Sequence, residues 1–226
     1  HSLKDLPTIL PEGLTIGAVL AREDARDALV SRLNLPLAQL PEGARLGTSS
    51  LRRTAQLLAY RPDFCIVTLR GNVDTRLRKA MSGDYEAVIL AAAGLHRLGY
   101  ADRITEILSP DVIMPAVGQG ALGVEVRADD EATHSLVALL NDLKAYKATR
   151  AERAFLKRLG GGCQVPIAAY GLIEDGALTL RGLVASVDGR QVVRGQKTGP
   201  PDQAEELGQA LAEELLAQGA RELLNL

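Results

Sequence analysis

The sequence has few cysteines, few aromatic residues and no long apolar run, and each shortage excludes a class of protein. Only Cys65 and Cys163 are present among 226 residues, and no CxxC pair or Cys/His cluster occurs. A disulfide framework and a zinc site are therefore unsupported, and we expect no metal. The longest apolar run, Ala87 to Leu95, is far too short to cross a bilayer. Since no secretory signal is found either, we expect a cytoplasmic protein without a membrane partner.

The distribution of charge bears on the choice of ligand. Residues 45–103 carry ten Arg/Lys against five Asp/Glu, a local charge of +5, although the whole chain has a formal net charge of −2. An arginine-rich region of this kind favours a ligand with carboxylates or phosphates. Nucleic acid is the alternative, but aromatic residues are only 3% of the chain and form no pattern with these arginines. A base-stacking surface is therefore not indicated.

A strand, a Gly/Ser/Thr turn and a helix are predicted at the start of this basic region. Thr48, Ser49 or Ser50 can cap the helix. Free N–H groups, hydroxyls and the positive end of the helix dipole make such a turn a ready anion site. Arg52 and Arg53 lie in the first helical turn, where a bound anion would offset their unfavourable position. The alternative is that both are solvated surface arginines.

The same strand–turn–helix pattern occurs twice more, in residues 63–83 and 85–100. Cys65 falls inside an apolar run of the second unit, where we expect a buried, structural cysteine. In open α/β sheets ligands bind beyond the carboxyl ends of the strands. The arginines near these ends are therefore expected to converge on one anion site. They are Arg52, Arg53, Arg70, Arg76 and Arg97.

The stretch GQGALG at residues 118–123 matches GxGxxG, but it does not predict a dinucleotide site. That fingerprint needs a strand before it and a helix after it, whereas a strand-like VEVR run follows here. A return crossover between two lobes fits better. Its outgoing counterpart is expected near residues 21–25, in the charged stretch AREDARDALV, which we interpret as a turn. Two crossovers imply a hinge and a cleft.

The remainder of the chain predicts a separate α+β unit. Helical spacing over residues 136–159 predicts one helix that stops at Gly160. The apolar residues at this spacing are Leu136, Leu139, Leu140 and Leu143, and the run ends in Ala154, Phe155 and Leu159. Three strand-like runs follow, separated by Asp175-Gly176 and Asp188-Gly189, and Asp-Gly favours hairpin turns. A last helix is predicted over residues 202–218.

Three glycines directly precede Cys163, on the loop between that helix and the first strand. One interpretation is a glycine cap on the helix followed by a buried cysteine. The other is a cysteine displayed on a flexible loop, free to react with or carry another group. The stretch by itself leaves both open.

Six motifs occur in order along the chain: HSLKDLP, GTSSLRR, LRGNVDTRL, LAAAGLHRLG, PAVGQGALG and GGCQVPIAAY. Together they resemble the porphobilinogen deaminase (hydroxymethylbilane synthase) family of tetrapyrrole and heme biosynthesis. The resemblance covers the whole chain. It implies an α/β fold with two lobes like those of periplasmic binding proteins and a small α+β C-terminal domain with a three-stranded antiparallel sheet. Relative to the family, the N-terminal part of the first domain is lacking, so we expect an incomplete first lobe.

The resemblance also implies domain boundaries and a reaction. Residues 1–22 and 118–135 would be the remnant of domain 1, residues 23–117 the arginine-rich domain 2, and residues 136–226 the cofactor-attachment domain 3. The family is a transferase that joins four porphobilinogen molecules head to tail into hydroxymethylbilane. Ammonia is released, and the chain grows on a dipyrromethane cofactor held by a cysteine thioether.

Site residues follow from the motifs that match. The resemblance implies that Cys163 carries the cofactor and that Asp5 is the catalytic carboxylate. Porphobilinogen bears an acetate and a propionate, which arginines bind bidentately. The groups implied to bind these carboxylates are Ser2, Lys4, Thr48, Ser49, Ser50, Arg52, Arg53, Arg70, Asn72, Arg76, Arg97 and Gln119.

The expected partner is the small molecule porphobilinogen, bound by a monomer that has no nucleic-acid partner. Two alternatives stay open at this stage. One is a non-enzymatic, two-lobe anion-binding module that uses the same arginines, and the other is an inactive fragment of the enzyme. A covalent group on Cys163 and ammonia release would distinguish the enzyme from both.

Overall fold

A computed structural model describes residues 1–161 and 165–224 as a mixed α/β protein with three β-sheets. The third sheet is antiparallel and has three strands, so the predicted fold class is confirmed. In this part of the chain no helix is both long enough and apolar enough to span a membrane. The strands are β1 (Leu14–Val19), β2 (Asp27–Ser31), β3 (Arg45–Gly47), β4 (Cys65–Val67), β5 (Ala87–Ala91), β6 (Glu106–Ile107), β7 (Gly123–Arg127), β8 (Ile167–Glu174), β9 (Ala177–Ala185) and β10 (Val192–Gly199). The α-helices are α1 (Leu51–Tyr60), α2 (Val73–Ala80), α3 (Ala92–Arg97), α4 (Glu131–Val137), α5 (Leu143–Arg158), α6 (Ala204–Leu215) and α7 (Arg221–Leu224).

The first sheet joins the two segments of the predicted domain 1, residues 1–22 and 118–135. Strands β1 and β7 pair antiparallel, with Leu14 opposite Arg127. A bridge between Ser2 and Leu122 brings the N-terminal segment against the residues that precede β7. The stretch GQGALG thus leads into a strand and not a helix, as expected. Glu23 N donates to Gly120 O at 3.1 Å, so the outgoing and return crossovers lie side by side.

The second sheet carries the basic region. Its strand order is β4-β3-β5-β2-β6, with β3 parallel to β4 and β5 and with β2 antiparallel to its neighbours. Apolar clusters cover both faces of this sheet. The interpretation of AREDARDALV as a turn is wrong in its second half, because β2 begins at Asp27 and all five of its residues are buried. The charged residues before Asp27 favour a turn, although the residues after it form a strand between β5 and β6.

Cys65 is exposed, so the prediction of a buried cysteine is wrong. The strand that contains it, β4, has only three residues and lies at the edge of the second sheet. Successive residues of a strand face opposite sides, and an edge strand has a neighbour on one flank only. The buried positions of this unit are taken by Phe64 and Leu69 instead.

The third sheet has the order β10-β9-β8 and packs against α5 and α6. Its core contains the fully buried Phe155, Leu180 and Leu211. Two local predictions are confirmed here. Helix α5 ends at Arg158 and Gly160 adopts a positive φ of 69°, and the β8–β9 turn has positive φ at both Asp175 and Gly176.

The single helix predicted over residues 136–159 is wrong. Helix α4 ends at Val137, and α5 starts separately after Asp142, whose side chain accepts a hydrogen bond from Ala145 N at 2.8 Å. The four leucines at the start of the predicted helix are exposed. Their exposed fractions are 69% for Leu136, 85% for Leu139, 55% for Leu140 and 66% for Leu143. The buried face of α5 contains alanines, Thr149, Glu152 and Phe155, and the last residues of the predicted run, Ala154, Phe155 and Leu159, are buried.

Helix α1, which follows β3 of the second sheet, packs directly against the third sheet. Ala55 of α1 shares a buried cluster with Leu183 and Ala185 of β9. In the β9–β10 turn, Gly189 has a positive φ of 72° and lies so close to α1 that a Cβ atom would collide with Ala55 O. The helix that follows the Gly/Ser/Thr turn is therefore held from both sides.

Candidate functional site

A cleft of about 670 Å³ opens between the N-terminal segment, the start of α1 and the loop that precedes β8. Lys4 and Asp5 lie in the short 3-10 turn Leu3–Asp5 on one wall. Ser49, Ser50 and Arg52 line the same cleft from the start of α1. The structure thus brings five of the residues expected from the sequence into one concave site.

Cys163 lies outside the described residues, so its place relative to the cleft stays a prediction. The described residues nearest to it in the chain, Gly161 and Val165, both line the cleft. Asp5, the predicted catalytic carboxylate, lines the same cleft.

The turn before α1 is fixed by its own hydroxyl groups. Ser50 is the N-cap, and its Oγ accepts a hydrogen bond from Arg53 N at 3.4 Å. Thr48 Oγ1 accepts from Ser50 N at 3.2 Å, and Ser49 Oγ donates to Leu69 O at 2.6 Å. These bonds hold the start of α1 against the end of the neighbouring strand, and Thr48 itself is buried. The helix N-terminus with its free N–H groups therefore faces the cleft side by side with two serines.

Arg52 and Arg53 form a buried ion cluster with Asp27, the first residue of β2. Arg52 Nη1 lies 2.8 Å from Asp27 Oδ2, and Arg53 Nη2 lies 2.6 Å from Asp27 Oδ1. The first contact is electrostatic and not a well-aligned hydrogen bond, since Asp27 Oδ2 has no hydrogen-bond partner among the described residues. Only 6% of Arg52 and 5% of Arg53 is exposed, so the alternative of two solvated arginines is wrong.

Electrostatics keep this cluster ionised. Burial alone would raise the pKa of Asp27, but Arg52 and Arg53 outweigh it and hold that pKa well below its ordinary value. Burial lowers the pKa of Arg52, which Asp27 opposes. Asp27 was not predicted from the sequence. The sequence did contain a signal for it, because Asp27 directly precedes the apolar run Ala28 to Val30. A carboxylate in that position indicates a buried charge that needs a partner.

Gln119 completes the cluster from the return crossover. Its Nε2 donates to Asp27 Oδ1 at 2.8 Å and to Ala25 O at 2.7 Å. Two buried polar atoms beside it, Gln119 Oε1 and Arg53 Nε, have no hydrogen-bond partner within residues 1–161 and 165–224. Buried polar atoms are rarely left without partners, so a water molecule or another polar group is expected to bind each of them.

The remaining predicted residues lie outside the lining of the cleft. Asn72 caps α2 by accepting from Thr75 N at 2.9 Å, and Arg76 Nε donates to Gly71 O at 2.8 Å. The pKa of Arg76 is lowered by burial and then by the nearby Arg53. Those outside the lining are Ser2, Thr48, Arg53, Arg70, Asn72, Arg76, Arg97 and Gln119.

Lys4 is the second cation on the lining. Its surface is exposed, yet its pKa is lowered, first because the surrounding protein displaces water and then because Arg53 is near. Asp27 and Asp5 act in the opposite direction. The lowered pKa therefore reflects chiefly the loss of water around Lys4, with the positive charge of Arg53 as the second cause.

A second buried ion pair was also missed, because nothing in the sequence links its members. Glu152 of α5 is fully buried, and Arg22 of the outgoing crossover donates to its two oxygens at 2.6 and 3.2 Å. The same oxygens accept from Gly118 N at 2.7 Å and Gly171 N at 2.8 Å. This pair ties both crossovers to the third sheet.

These features define a class. The chain is an α/β protein with an arginine-rich sheet, paired crossovers, a cation-lined cleft and a further α+β unit. Two family models match it. One is described as porphobilinogen deaminase, dipyromethane cofactor binding domain, and covers residues 1–135, and the other is the porphobilinogen deaminase C-terminal domain, over residues 146–217.

Individual relatives agree with these matches. Proteins named porphobilinogen deaminase from Carboxydothermus hydrogenoformans, Roseiflexus sp. and Geobacter metallireducens are 53%, 56% and 54% identical to this chain over 224 residues. The matched region covers 99% of this chain in each case, and 72%, 74% and 70% of the respective relatives. The chain belongs to the porphobilinogen deaminase family, and the resemblance seen in the six motifs is confirmed.

Proposed function

We propose that this protein joins four porphobilinogen molecules head to tail into hydroxymethylbilane and releases one ammonia for each. This is a step of tetrapyrrole biosynthesis. The observation that carries the proposal is the cleft itself. A carboxylate, Asp5, lines it together with the anion-binding wall of Ser49, Ser50 and Arg52. Membership of the family supports it over a non-enzymatic anion-binding module.

The anion-binding wall suits the substrate because porphobilinogen carries an acetate and a propionate. Arg52 binds a carboxylate through a planar fork of N–H donors and stays charged at any working pH. The Ser50 hydroxyl and the first N–H groups of α1 donate further hydrogen bonds to the same oxygens. Lys4 adds a second cation to the lining. Each group acts on the carboxylates and leaves the reacting carbon free.

Asp5 is the proposed catalytic residue. Its carboxylate accepts hydrogen bonds from the pyrrole N–H of the substrate. When the aminomethyl C–N bond breaks and ammonia leaves, positive charge develops on the pyrrole, and a carboxylate in a partly desolvated cleft stabilises it. The same oxygens then accept the proton that is lost when the new carbon–carbon bond forms. This role requires that Asp5 lie near the pyrrole nitrogen of the substrate and not near the substrate's carboxylates.

The cleft fits a dipyrromethane cofactor, whose pyrroles carry several carboxylates. Two cations, Lys4 and Arg52, lie on the lining, and Nε and Nη2 of Arg52 make no hydrogen bond within the described part of the chain. Cys163 is the proposed attachment residue, and Lys4, Ser49, Ser50 and Arg52 would hold the carboxylates. When bound, the group supplies the pyrrole carbon to which the first substrate molecule is joined. A thiolate is a suitable attachment point because it is a strong nucleophile towards an electrophilic methylene carbon.

The remaining site residues are proposed to act around the cleft. Arg70, Asn72, Arg76 and Arg97 would contact carboxylates as the chain grows beyond the first units, and Ser2, Thr48 and Gln119 would support the walls. We also propose the domain boundaries implied by the resemblance and a cytoplasmic monomer without a nucleic-acid or membrane partner. Light scattering on the purified protein tests the oligomeric state.

The experiment is an intact-mass measurement before and after porphobilinogen is added, with ammonia measured in parallel. We expect a ladder of masses, each step one substrate less one ammonia, and equal amounts of ammonia released and porphobilinogen consumed. A protein that binds porphobilinogen with no mass ladder and no ammonia would be an anion-binding module, which would contradict the proposal.

A further inference from the structure

We propose that Asp27 is a positioning residue for substrate binding, because it holds the Arg52 guanidinium in the orientation that receives a carboxylate in the cleft. The inference rests on the proposed function and adds a residue to it. Asp27 is fully buried at the start of β2 and does not line the cleft, so it acts through Arg52 and not on the substrate.

The hydrogen bonds of Arg52 leave one side of its guanidinium free. Among the described residues, its side chain donates only from Nη1, to Met114 O at 2.6 Å, and the same nitrogen lies 2.8 Å from Asp27 Oδ2. Nε and Nη2 make no hydrogen bond with those residues. Since Arg52 lines the cleft, these two nitrogens form the parallel pair of donors that a carboxylate binds bidentately.

Charge balance makes Asp27 necessary for this arrangement. Within residues 1–161 and 165–224, Asp27 is the one acid that forms an ion pair with Arg52 or Arg53. The two guanidinium groups are adjacent on α1 and both are nearly buried. With Asp27 ionised, the trio carries one net positive charge. Without it, two buried cations would repel each other, and Arg52, which lines the cleft, would turn towards solvent.

A purely structural role is the rival explanation, because Asp27 also binds Gln119 and Arg53. The two roles predict different effects on ligand affinity when Asp27 and Arg52 are substituted together. If Asp27 acts through Arg52, its removal has no further effect on ligand affinity once Arg52 has lost its charge. If it only stabilises the fold, its effect on affinity is small and independent of Arg52.

The test uses four variants of the whole protein: Asp27→Asn, Arg52→Gln, the double variant, and Leu180→Ala as a control. Leu180 is fully buried in the third sheet and does not line the cleft, so its substitution lowers stability without removing a contact of Arg52. The probe is a porphobilinogen analogue with a methyl group in place of the aminomethyl group. It keeps both carboxylates but has no ammonia to release, and its Kd is measured by calorimetry well below each melting temperature.

We expect Asp27→Asn to raise the Kd at least tenfold, which corresponds to about 1.4 kcal/mol. Leu180→Ala should leave the Kd within about twofold, and the double variant should match Arg52→Gln within the same range. An unchanged Kd in folded Asp27→Asn, or effects of the two substitutions that multiply, would overturn the proposal.

If Asp27→Asn does not fold, Asp27→Glu is measured instead. It keeps the charge but displaces the carboxylate by one methylene, and it should also weaken binding. Failure of both variants to fold would assign Asp27 to folding and overturn the positioning role. Turnover of porphobilinogen by the unsubstituted protein is tested separately. A protein without turnover would disprove the proposed function, while the coupling between Asp27 and Arg52 would still be read from the analogue.

Discussion

The buried pair between Arg22 and Glu152 gives the sharpest test of how the parts of this protein are held together. Both oxygens of Glu152 are occupied, by two N–H groups of Arg22 and by the backbone N–H groups of Gly118 and Gly171. Substitution of Glu152 by Gln keeps the shape but removes the charge. It also turns an NH₂ group towards one of the two backbone donors, where no acceptor is left.

The expected loss of stability follows from the cost of breaking a buried ion pair. Removing one partner of a buried ion pair costs about 3–5 kcal/mol, because the other charge stays buried without compensation. For a domain of about 150–250 residues, 1 kcal/mol shifts the melting temperature by about 2–4 °C. We therefore expect Glu152→Gln to unfold about 6–20 °C below the unsubstituted protein.

The assay is the free energy of unfolding from urea titration, supported by thermal melting. Glu205→Gln is a matched control, because Glu205 pairs with Arg150 at 2.9 Å with both side chains about half exposed. Exposed pairs contribute about 0–1 kcal/mol, so this control should remain close to the unsubstituted protein. Equal stabilities of the Glu152 and Glu205 variants would refute the reasoning.

Three further predictions follow from the site and its supports. Asp5→Ala should lower kcat at least about 100-fold while the mass of the attached cofactor persists, since a general acid–base group contributes about 10²–10⁴-fold; normal turnover would remove Asp5 from its role. Because the folded-state pKa of Asp27 is depressed, its ion pairs stabilise the protein fully above the unfolded pKa of about 3.9, and this contribution is lost as the pH falls below that value. The stability difference between the unsubstituted protein and Asp27→Asn in urea titrations should therefore shrink from pH 5 towards about pH 2, and a constant difference would contradict it. Gly189→Ala should cost at least about 1–2 kcal/mol from its positive φ alone and more from the collision with α1, whereas Gly13→Ala, with a similar φ and open space, should show only the first effect.

Local features of the fold were predictable because neighbouring residues determine them. The Gly/Ser/Thr turn caps α1, Gly160 follows the end of α5, and Asp175-Gly176 forms a hairpin turn. Each depends on backbone conformations and hydrogen bonds within a few residues. The resemblance to a family depended on six motifs and their order along the chain. Recognising them requires no knowledge of how the chain packs.

Features that depend on distant neighbours were not predictable. Cys65 is apolar in its local setting but lies on an edge strand, and which strand lies at an edge is decided by the order of the whole sheet. The leucines from residue 136 to 143 have helical spacing, yet Asp142 starts a separate helix and they remain exposed. Asp27 follows a charged stretch and was read as part of it, because its partners on α1 come later in the chain.

The central claim is that a growing pyrrole chain is attached to Cys163 in a cleft that contains Asp5. The most direct measurement is the mass of the tryptic peptide 159–181, which begins after Arg158, ends at Arg181 and contains Cys163. In active protein this peptide should carry the mass of a dipyrromethane group, with further units after brief exposure to porphobilinogen. An unmodified 159–181 peptide from a preparation that turns over porphobilinogen would contradict the account.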